Sequence, residues 1–259
     1  MALVLAVVGL DRLLSSRRLR VTRRVQPWWL GTRPRLVVFV RSAPATYTYL
    51  AVLFVTTWVL ASASTRIADR LLLAQSTNLH HLANDPIRVL IGSAFWVSGS
   101  GDLLVTACLF TLVLAPLERR IGAWRMAAVF AIGHIGATLL TAGGLWAALR
   151  FDAIDRSIVN ARDVGASYGF FAAAAALTYL VGPRLRRPYA TVLLGYLVLM
   201  VVLSGTFTDY GHLVAGLLGL ACYRLVRDAL PRIAEPVGGE FVRRVAVKLH
   251  VGRLIESRA

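Results

Sequence analysis

A serine and a histidine stand near the starts of two apolar segments that lie far apart in the chain. Ser167 follows Gly165 and Ala166 and opens the run "SYGFFAAAAALTYL", and His212 follows Gly211 in "TDYGHLVAGLLGLACY". A serine hydroxyl becomes a nucleophile when a histidine that acts as general base comes within hydrogen-bond reach. The two side chains therefore predict covalent hydrolytic catalysis, provided that the fold brings them together.

A packing role for both residues is the alternative interpretation. A Gly-x-Ser sequence arises by chance in a chain with 21 glycines, and polar side chains inside helix bundles often bond to a neighbouring backbone. The position of each side chain in the fold decides between packing and catalysis.

The composition indicates a membrane protein. Of the 259 residues, 57% are hydrophobic and only 16% are charged, and the mean hydropathy is +0.65, which is more apolar than ordinary soluble domains. The two cysteines, Cys108 and Cys222, fall inside apolar runs, so we expect no disulfide. No metal or cofactor is predicted.

The apolar stretches predict an all-α, polytopic bundle of six transmembrane helices. A spanning helix requires about 20 residues, and the candidate stretches are 47–64, 101–116, 126–149, 164–182, 190–207 and 210–226. The outer loop 65–89 is predicted to be partly helical and interfacial. The chain thus divides into a basic cytoplasmic segment 1–45, a membrane domain 46–226 and a basic amphipathic tail 227–259. The tail either rests on the inner leaflet or forms a short soluble appendage.

The basic residues predict the orientation of the bundle. With the N-terminus inside, the inner segments carry 23 of the 29 basic residues, so both termini are expected in the cytoplasm. This topology and attraction to anionic lipid headgroups account for the net charge of +16, and no nucleic-acid partner is predicted, since no base-reading motif is visible. The preference for arginine and the alanine-rich helices suggest a bacterial plasma membrane.

This orientation places the serine and the histidine at one depth. Ser167 is expected about one turn in from the outer end of the fourth helix, and His212 within a turn of the outer end of the sixth. Gly165 and Gly211 beside them let the helices approach closely. We therefore expect Ser167 Oγ about 2.6 to 3.2 Å from a ring nitrogen of His212.

These residues resemble the rhomboid family of intramembrane serine proteases. That family has a six-helix core, a Gly-x-Ser-Gly motif at the outer end of the fourth helix, an aromatic residue four positions later and a histidine in the sixth helix. The matching residues here are Gly165, Ser167, Phe171 and His212. The resemblance implies that Ser167 attacks a peptide carbonyl of a transmembrane substrate, that His212 transfers the proton and that Phe171 packs against the imidazole.

A second signature of that family, Glu-x-Arg-x-Gly at the cytoplasmic end of the second helix, is matched by "LERRIG". Its residues are Glu118, Arg120 and Gly122. The resemblance covers about residues 45–226, and it implies transmembrane proteins as substrates or clients.

The chain also departs from the family pattern. Tyr168 stands where the family has a glycine, and the second-helix histidines and asparagine that help bind the oxyanion have no counterpart. Loss of one oxyanion donor typically costs about 100 to 1,000-fold in rate. The candidate oxyanion region holds instead Ser98, Ser100, Asp102 and Thr106. Asp102 is interpreted as an interfacial helix cap or, alternatively, as a third catalytic member that orients His212.

Three functional classes follow. The first, which we favour, is a rhomboid-like protease that uses Ser167 and His212. The second is a rhomboid-like protein without proteolytic activity that binds the transmembrane helices of clients. The third, a transporter or channel, is disfavoured because the sequence shows no inverted repeat, no paired broken helices and no chain of buried ionisable groups.

Overall fold

A computed structural model describes Arg12, residues 20–227 and Ala229, and within these residues the regular structure is helical, without a β-strand. Most of the predicted amphipathic tail 227–259 and the opening of the predicted segment 1–45 lie outside the described residues. The α-helices are α1 Arg20–Arg41, α2 Pro44–Ser62, α3 Thr65–Ala74, α4 Leu79–Asn84, α5 Pro86–Gly92, α6 Ser100–Leu112, α7 Leu114–Ile121, α8 Ala123–Arg150, α9 Ser167–Leu177, α10 Pro183–Leu203, α11 Phe207–Ala221 and α12 Tyr223–Arg227.

Four helical segments of the described chain are long and apolar enough to cross a membrane. They are α2, the continuous pair α6 and α7, α8, and α10, which match the predicted stretches one, two, three and five. Pro116 explains the break between α6 and α7, because a proline lacks the N–H that would bond to the carbonyl four residues earlier. Residues 65–89 are partly helical as predicted, since they contain α3, α4 and the start of α5.

The fourth and sixth apolar stretches hold shorter helices than predicted. Helix α9 has 11 residues and α11 has 15, so α9 is only about 17 Å long at 1.5 Å per residue. Gly165 has a φ of +131°, a conformation that interrupts a right-handed helix. Ser167 is therefore the first residue of α9, and the prediction that it lies one turn inside the helix is wrong.

Helix α9 packs tightly between α8 and α11 through its row of alanines. Ala172 to Ala176 are buried. A β-carbon added to Gly133 of α8 would collide with the side chain of Ala172, and one added to Gly219 of α11 would collide with the Ala172 backbone. Small residues thus allow α8, α9 and α11 to approach one another closely.

The close approach at Gly219 gives a first prediction. Gly219→Ala is expected to lower the free energy of unfolding by about 1 to 3 kcal/mol, because the new methyl group overpacks a helix contact that consists of backbone. Gly143→Ala is the matched control, since an added β-carbon there meets nothing within 4 Å and alanine favours the helix. Thermal unfolding in detergent compares the two variants, and equal midpoints would contradict the packing argument.

Glu118 of the Glu-x-Arg-x-Gly signature ties the start of α2 to α7. The buried Glu118 carboxylate accepts hydrogen bonds from the backbone N–H of Ala45 and of Thr46, both at 2.8 Å, and from the Thr46 hydroxyl at 2.7 Å. It thereby satisfies free donors at the start of α2. Gly122, with a φ of +84°, separates α7 from α8, and Arg120 is exposed.

A buried histidine connects α8 to the segment that precedes the serine. Nε2 of His134 lies 3.0 Å from the Leu90 carbonyl oxygen and 3.2 Å from Ser93 Oγ. The Ser93 carbonyl in turn accepts a hydrogen bond of 3.0 Å from the N–H of Gly165. His134 therefore has a structural place in the bundle, and its contacts help to fix the turn that leads into α9.

Candidate active site

The side chains of Ser167 and His212 are in contact. Ser167 Oγ is 2.9 Å from Nε2 of His212, inside the range expected for a nucleophile and its general base. Ser167 stands at the first position of α9 and His212 in the second turn of α11. Both side chains are half-buried, so the hydroxyl is sheltered by the bundle but reachable.

Two aromatic rings hold the imidazole. The ring of Phe171 lies 4.6 Å from that of His212, centroid to centroid, and the ring of Tyr168 lies 5.4 Å from the imidazole at an interplanar angle of 75°. Phe171 is one helical turn beyond Ser167 and so lies on the same face of α9. The side chain of Tyr168, which replaces the glycine of the family pattern, is buried beside the dyad.

Gly211 makes room for this tyrosine. A β-carbon on Gly211 would come within 2.5 to 2.6 Å of the hydroxyl oxygen and a ring carbon of Tyr168, which is closer than nonbonded atoms approach. The glycine next to His212 and the tyrosine next to Ser167 are thus complementary in shape. This pairing explains why a bulky residue is tolerated directly after the serine.

A carboxylate that the sequence reasoning missed anchors the loop in front of the serine. The hydroxyl of Thr77 donates a hydrogen bond of 3.1 Å to Asp163 Oδ2, and its N–H donates one of 2.9 Å to the Asp163 carbonyl. The Asp163 N–H bonds to Ser76 Oγ at 2.7 Å, and the Tyr168 hydroxyl approaches Oδ2 at 3.4 Å. These contacts tie the loop between α3 and α4 to the residues before Ser167. The sequence offered one indication of this role, since Asp163 is an acidic residue directly before the apolar stretch 164–182.

The surroundings of Asp163 change its acidity. Burial raises the pKa of Asp163 to about 6, although the hydrogen bonds from Thr77 and Tyr168 act in the opposite direction. Because the pKa in the folded protein exceeds the ordinary value of 3.8, the neutral carboxyl is the form that the fold favours. The neutral Asp163 carboxyl contributes fully to the stability of the fold below about pH 4, and this contribution is lost as the pH rises through about 6.

Asp163→Asn should therefore remove a pH-dependent cost. The amide keeps the shape and an acceptor for Thr77 but cannot ionise, so the variant is expected to gain stability relative to wild type between pH 4 and pH 7, by about 3 kcal/mol at most for a shift of about two units. Unfolding midpoints of both proteins at pH 4.5 and pH 7.5 check this. A difference that is the same at both pH values would contradict it.

The start of α9 also supplies donors for an oxyanion. A helix that begins at Ser167 leaves its first N–H groups, those of Ser167, Tyr168 and Gly169, without partners inside the helix. The positive end of the helix dipole lies at the same place. A negative oxygen that develops beside Ser167 Oγ would meet these groups.

A cavity of about 290 Å³ opens beside Ser167, between α6 and α9. Of the predicted oxyanion region, Ser98, Asp102 and Thr106 line it, whereas Ser100 does not. Asp102 makes no hydrogen bond to His212 or to any other described residue, and no side chain caps the start of α6. Asp102 therefore neither caps α6 nor orients His212, the two roles considered for it from the sequence. It lies instead on the wall of the cavity.

Within the part of the chain that the structure describes, no group of three or more histidine, cysteine, aspartate or glutamate side chains is arranged to hold a metal ion. The arrangement can do acid–base and nucleophilic chemistry through Ser167 and His212.

Comparison with known proteins identifies one family. A family model described as rhomboid-like protein matches residues 38–231, a range that includes the membrane helices, the Glu118 anchor and both members of the dyad. Searches of curated proteins and of solved structures give no match.

Proposed function

Since the chain belongs to the family of rhomboid-like proteins, we propose that it is an intramembrane serine protease in which Ser167 and His212 form the catalytic dyad. The observation that carries the proposal is the distance of 2.9 Å between Ser167 Oγ and His212 Nε2, at a half-buried serine that opens onto a cavity. A packing serine needs no neighbouring base of this geometry.

The reaction follows from these positions. Ser167 Oγ attacks the carbonyl carbon of a peptide bond in a transmembrane substrate while His212 Nε2 accepts the hydroxyl proton. Backbone N–H groups at the start of α9 stabilise the oxyanion. When the tetrahedral intermediate collapses, the C–N bond breaks and His212 gives the proton to the leaving amine. His212 then deprotonates a water molecule that attacks the ester carbon, the bond from that carbon to Ser167 Oγ breaks, and His212 returns the proton to Ser167.

The proposed membrane arrangement has six crossings with both termini in the cytoplasm. Four crossings use the long helices, and the other two use α9 and α11 with the chain that flanks them. Because α9 is shorter than the hydrocarbon core, which is about 30 Å thick, Ser167 at its start lies below the outer surface, and water reaches it through the cavity beside it. Basic segments on the inner side would contact anionic headgroups, in a bacterial plasma membrane.

A second candidate is a rhomboid-like protein that binds transmembrane helices of clients without cleaving them. One observation favours it: among the described residues that line the cavity there is no histidine or asparagine, and the carboxylate of Asp102 stands there instead. A carboxylate would repel a developing oxyanion.

Cleavage of a single-span model substrate separates the two functions. The purified protein in proteoliposomes is expected to cut the substrate, Ser167→Ala is expected to abolish the cut, and Ser100→Ala, outside the cavity, is the control that should retain it. Absence of cleavage by the folded wild type, with the substrate still bound, would support the second candidate and overturn the first.

A further inference from the structure

The cavity beside Ser167 carries one charge. Its described lining is mostly apolar, with Val105, Leu109 and Phe110 of α6 on one side, and the carboxylate of Asp102 is the single charged group in it. Asp102 and the nucleophile thus face the same space of about 290 Å³. A substrate side chain that enters this space next to the attacked carbonyl meets that carboxylate.

The Asp102 carboxylate is available to a ligand. It makes no hydrogen bond or ion pair with any described residue, and its side chain is exposed to the cavity and its mouth. Asp102 is also the third residue of α6, where the helix dipole favours a negative charge. Among the described residues, no protein cation pairs with this carboxylate.

The volume and the lining of the cavity indicate which substrate side chain it would bind. The volume is just below that of small-ligand pockets, which start at about 300 Å³, so it accommodates one substrate side chain. Long basic side chains lay an aliphatic stem along apolar walls and keep the charged end at a polar partner. Val105 and Leu109 would pack against such a stem, and the Asp102 carboxylate would accept a charge-assisted hydrogen bond from its cationic end.

We propose that Asp102 makes this cavity a specificity subsite for lysine or arginine at or directly beside the scissile bond of the substrate. The proposal rests on the protease function proposed above and names its substrate class: transmembrane segments with a basic residue near their outer end. A cation at membrane depth is costly without a partner. Asp102 supplies that partner only for a substrate that is correctly seated against Ser167.

The test varies the substrate and the subsite together. Single-span substrates that carry arginine, lysine, leucine, alanine or glutamate at each position around the cut are compared by kcat/KM in proteoliposomes. At one position, wild type is expected to cleave the arginine and lysine substrates at least about 10-fold faster than the leucine substrate. Asp102→Asn should bring this ratio close to one, and Asp102→Arg should shift the preference to glutamate.

Two control variants keep the readout specific. Asp152→Asn removes an acid from the segment between α8 and α9, outside the cavity, at a residue with a φ of +51° that asparagine also adopts, and it should keep the wild-type ratio. Thr106→Val removes a polar but uncharged group of the cavity wall and should keep the preference for basic residues.

The outcomes separate the two proposals. Ser167-dependent cleavage with the same arginine-to-leucine ratio in wild type and Asp102→Asn would overturn the assignment of Asp102 and leave the protease function standing. Failure of wild type to cleave any substrate would overturn the protease function and the subsite with it.

Discussion

Replacing His212 with alanine is expected to lower the rate of substrate cleavage by about 10⁴-fold or more. In the proposed mechanism the imidazole, 2.9 Å from Ser167 Oγ, accepts the hydroxyl proton, and a serine without its base is a poor nucleophile at neutral pH. Because the two residues act as one unit, the double variant Ser167→Ala/His212→Ala should be no slower than either single variant. Cleavage of the model substrate under single-turnover conditions measures all three.

The control for this prediction is His80→Ala. His80 is an exposed histidine of α4, and its replacement should leave the rate unchanged. Folding of each variant is checked by its thermal midpoint, because His212 also packs against Phe171 and Tyr168. A folded His212→Ala protein that retains more than about a tenth of the wild-type rate would show that His212 is not the base.

Gly211→Ala is expected to reduce cleavage by about 100-fold. The added methyl group would overlap the ring and hydroxyl of Tyr168, so that either the tyrosine or the start of α11 must move. Tyr168 follows Ser167 directly, and Gly211 precedes His212, so a shift of about 1 Å at this contact changes the distance between nucleophile and base. The rate, measured with the same substrate, should fall through kcat.

A compensating substitution distinguishes displacement of the dyad from general damage. Gly211→Ala/Tyr168→Gly removes the overlap and is expected to recover at least part of the lost rate. Gly195→Ala in α10 is the control, since an added β-carbon meets nothing within 4 Å there. A double variant slower than Gly211→Ala alone would contradict the steric explanation.

Hydropathy and residue type were sufficient to predict the membrane class and the proximity of the dyad. Four of the predicted stretches correspond to long helices, because apolar length is set by the bilayer. The contact of Ser167 with His212 also follows from local pattern, since small residues beside both groups let α9 and α11 approach.

Backbone conformation and long-range contacts were harder to foresee. The late start of α9 depends on the φ of +131° at Gly165. A glycine in the sequence does not by itself indicate whether it lies inside a helix or outside its end. The contact of Asp163 with Thr77 joins residues 86 positions apart, and no period in the sequence encodes such a pairing. Tyr168 was expected to support the site, but the space for its ring could not be foreseen, because Gly211 provides that space from another helix.

The central claim is that Ser167 is an activated nucleophile, and covalent labelling with a fluorophosphonate tests it most directly. The protein in detergent is treated with the probe, digested and analysed by mass spectrometry to locate the adduct. We predict one adduct, on Ser167, that is lost in His212→Ala and kept in His80→Ala. A folded wild-type protein that remains unlabelled, or an adduct on Ser167 that forms equally fast in His212→Ala, would contradict the account.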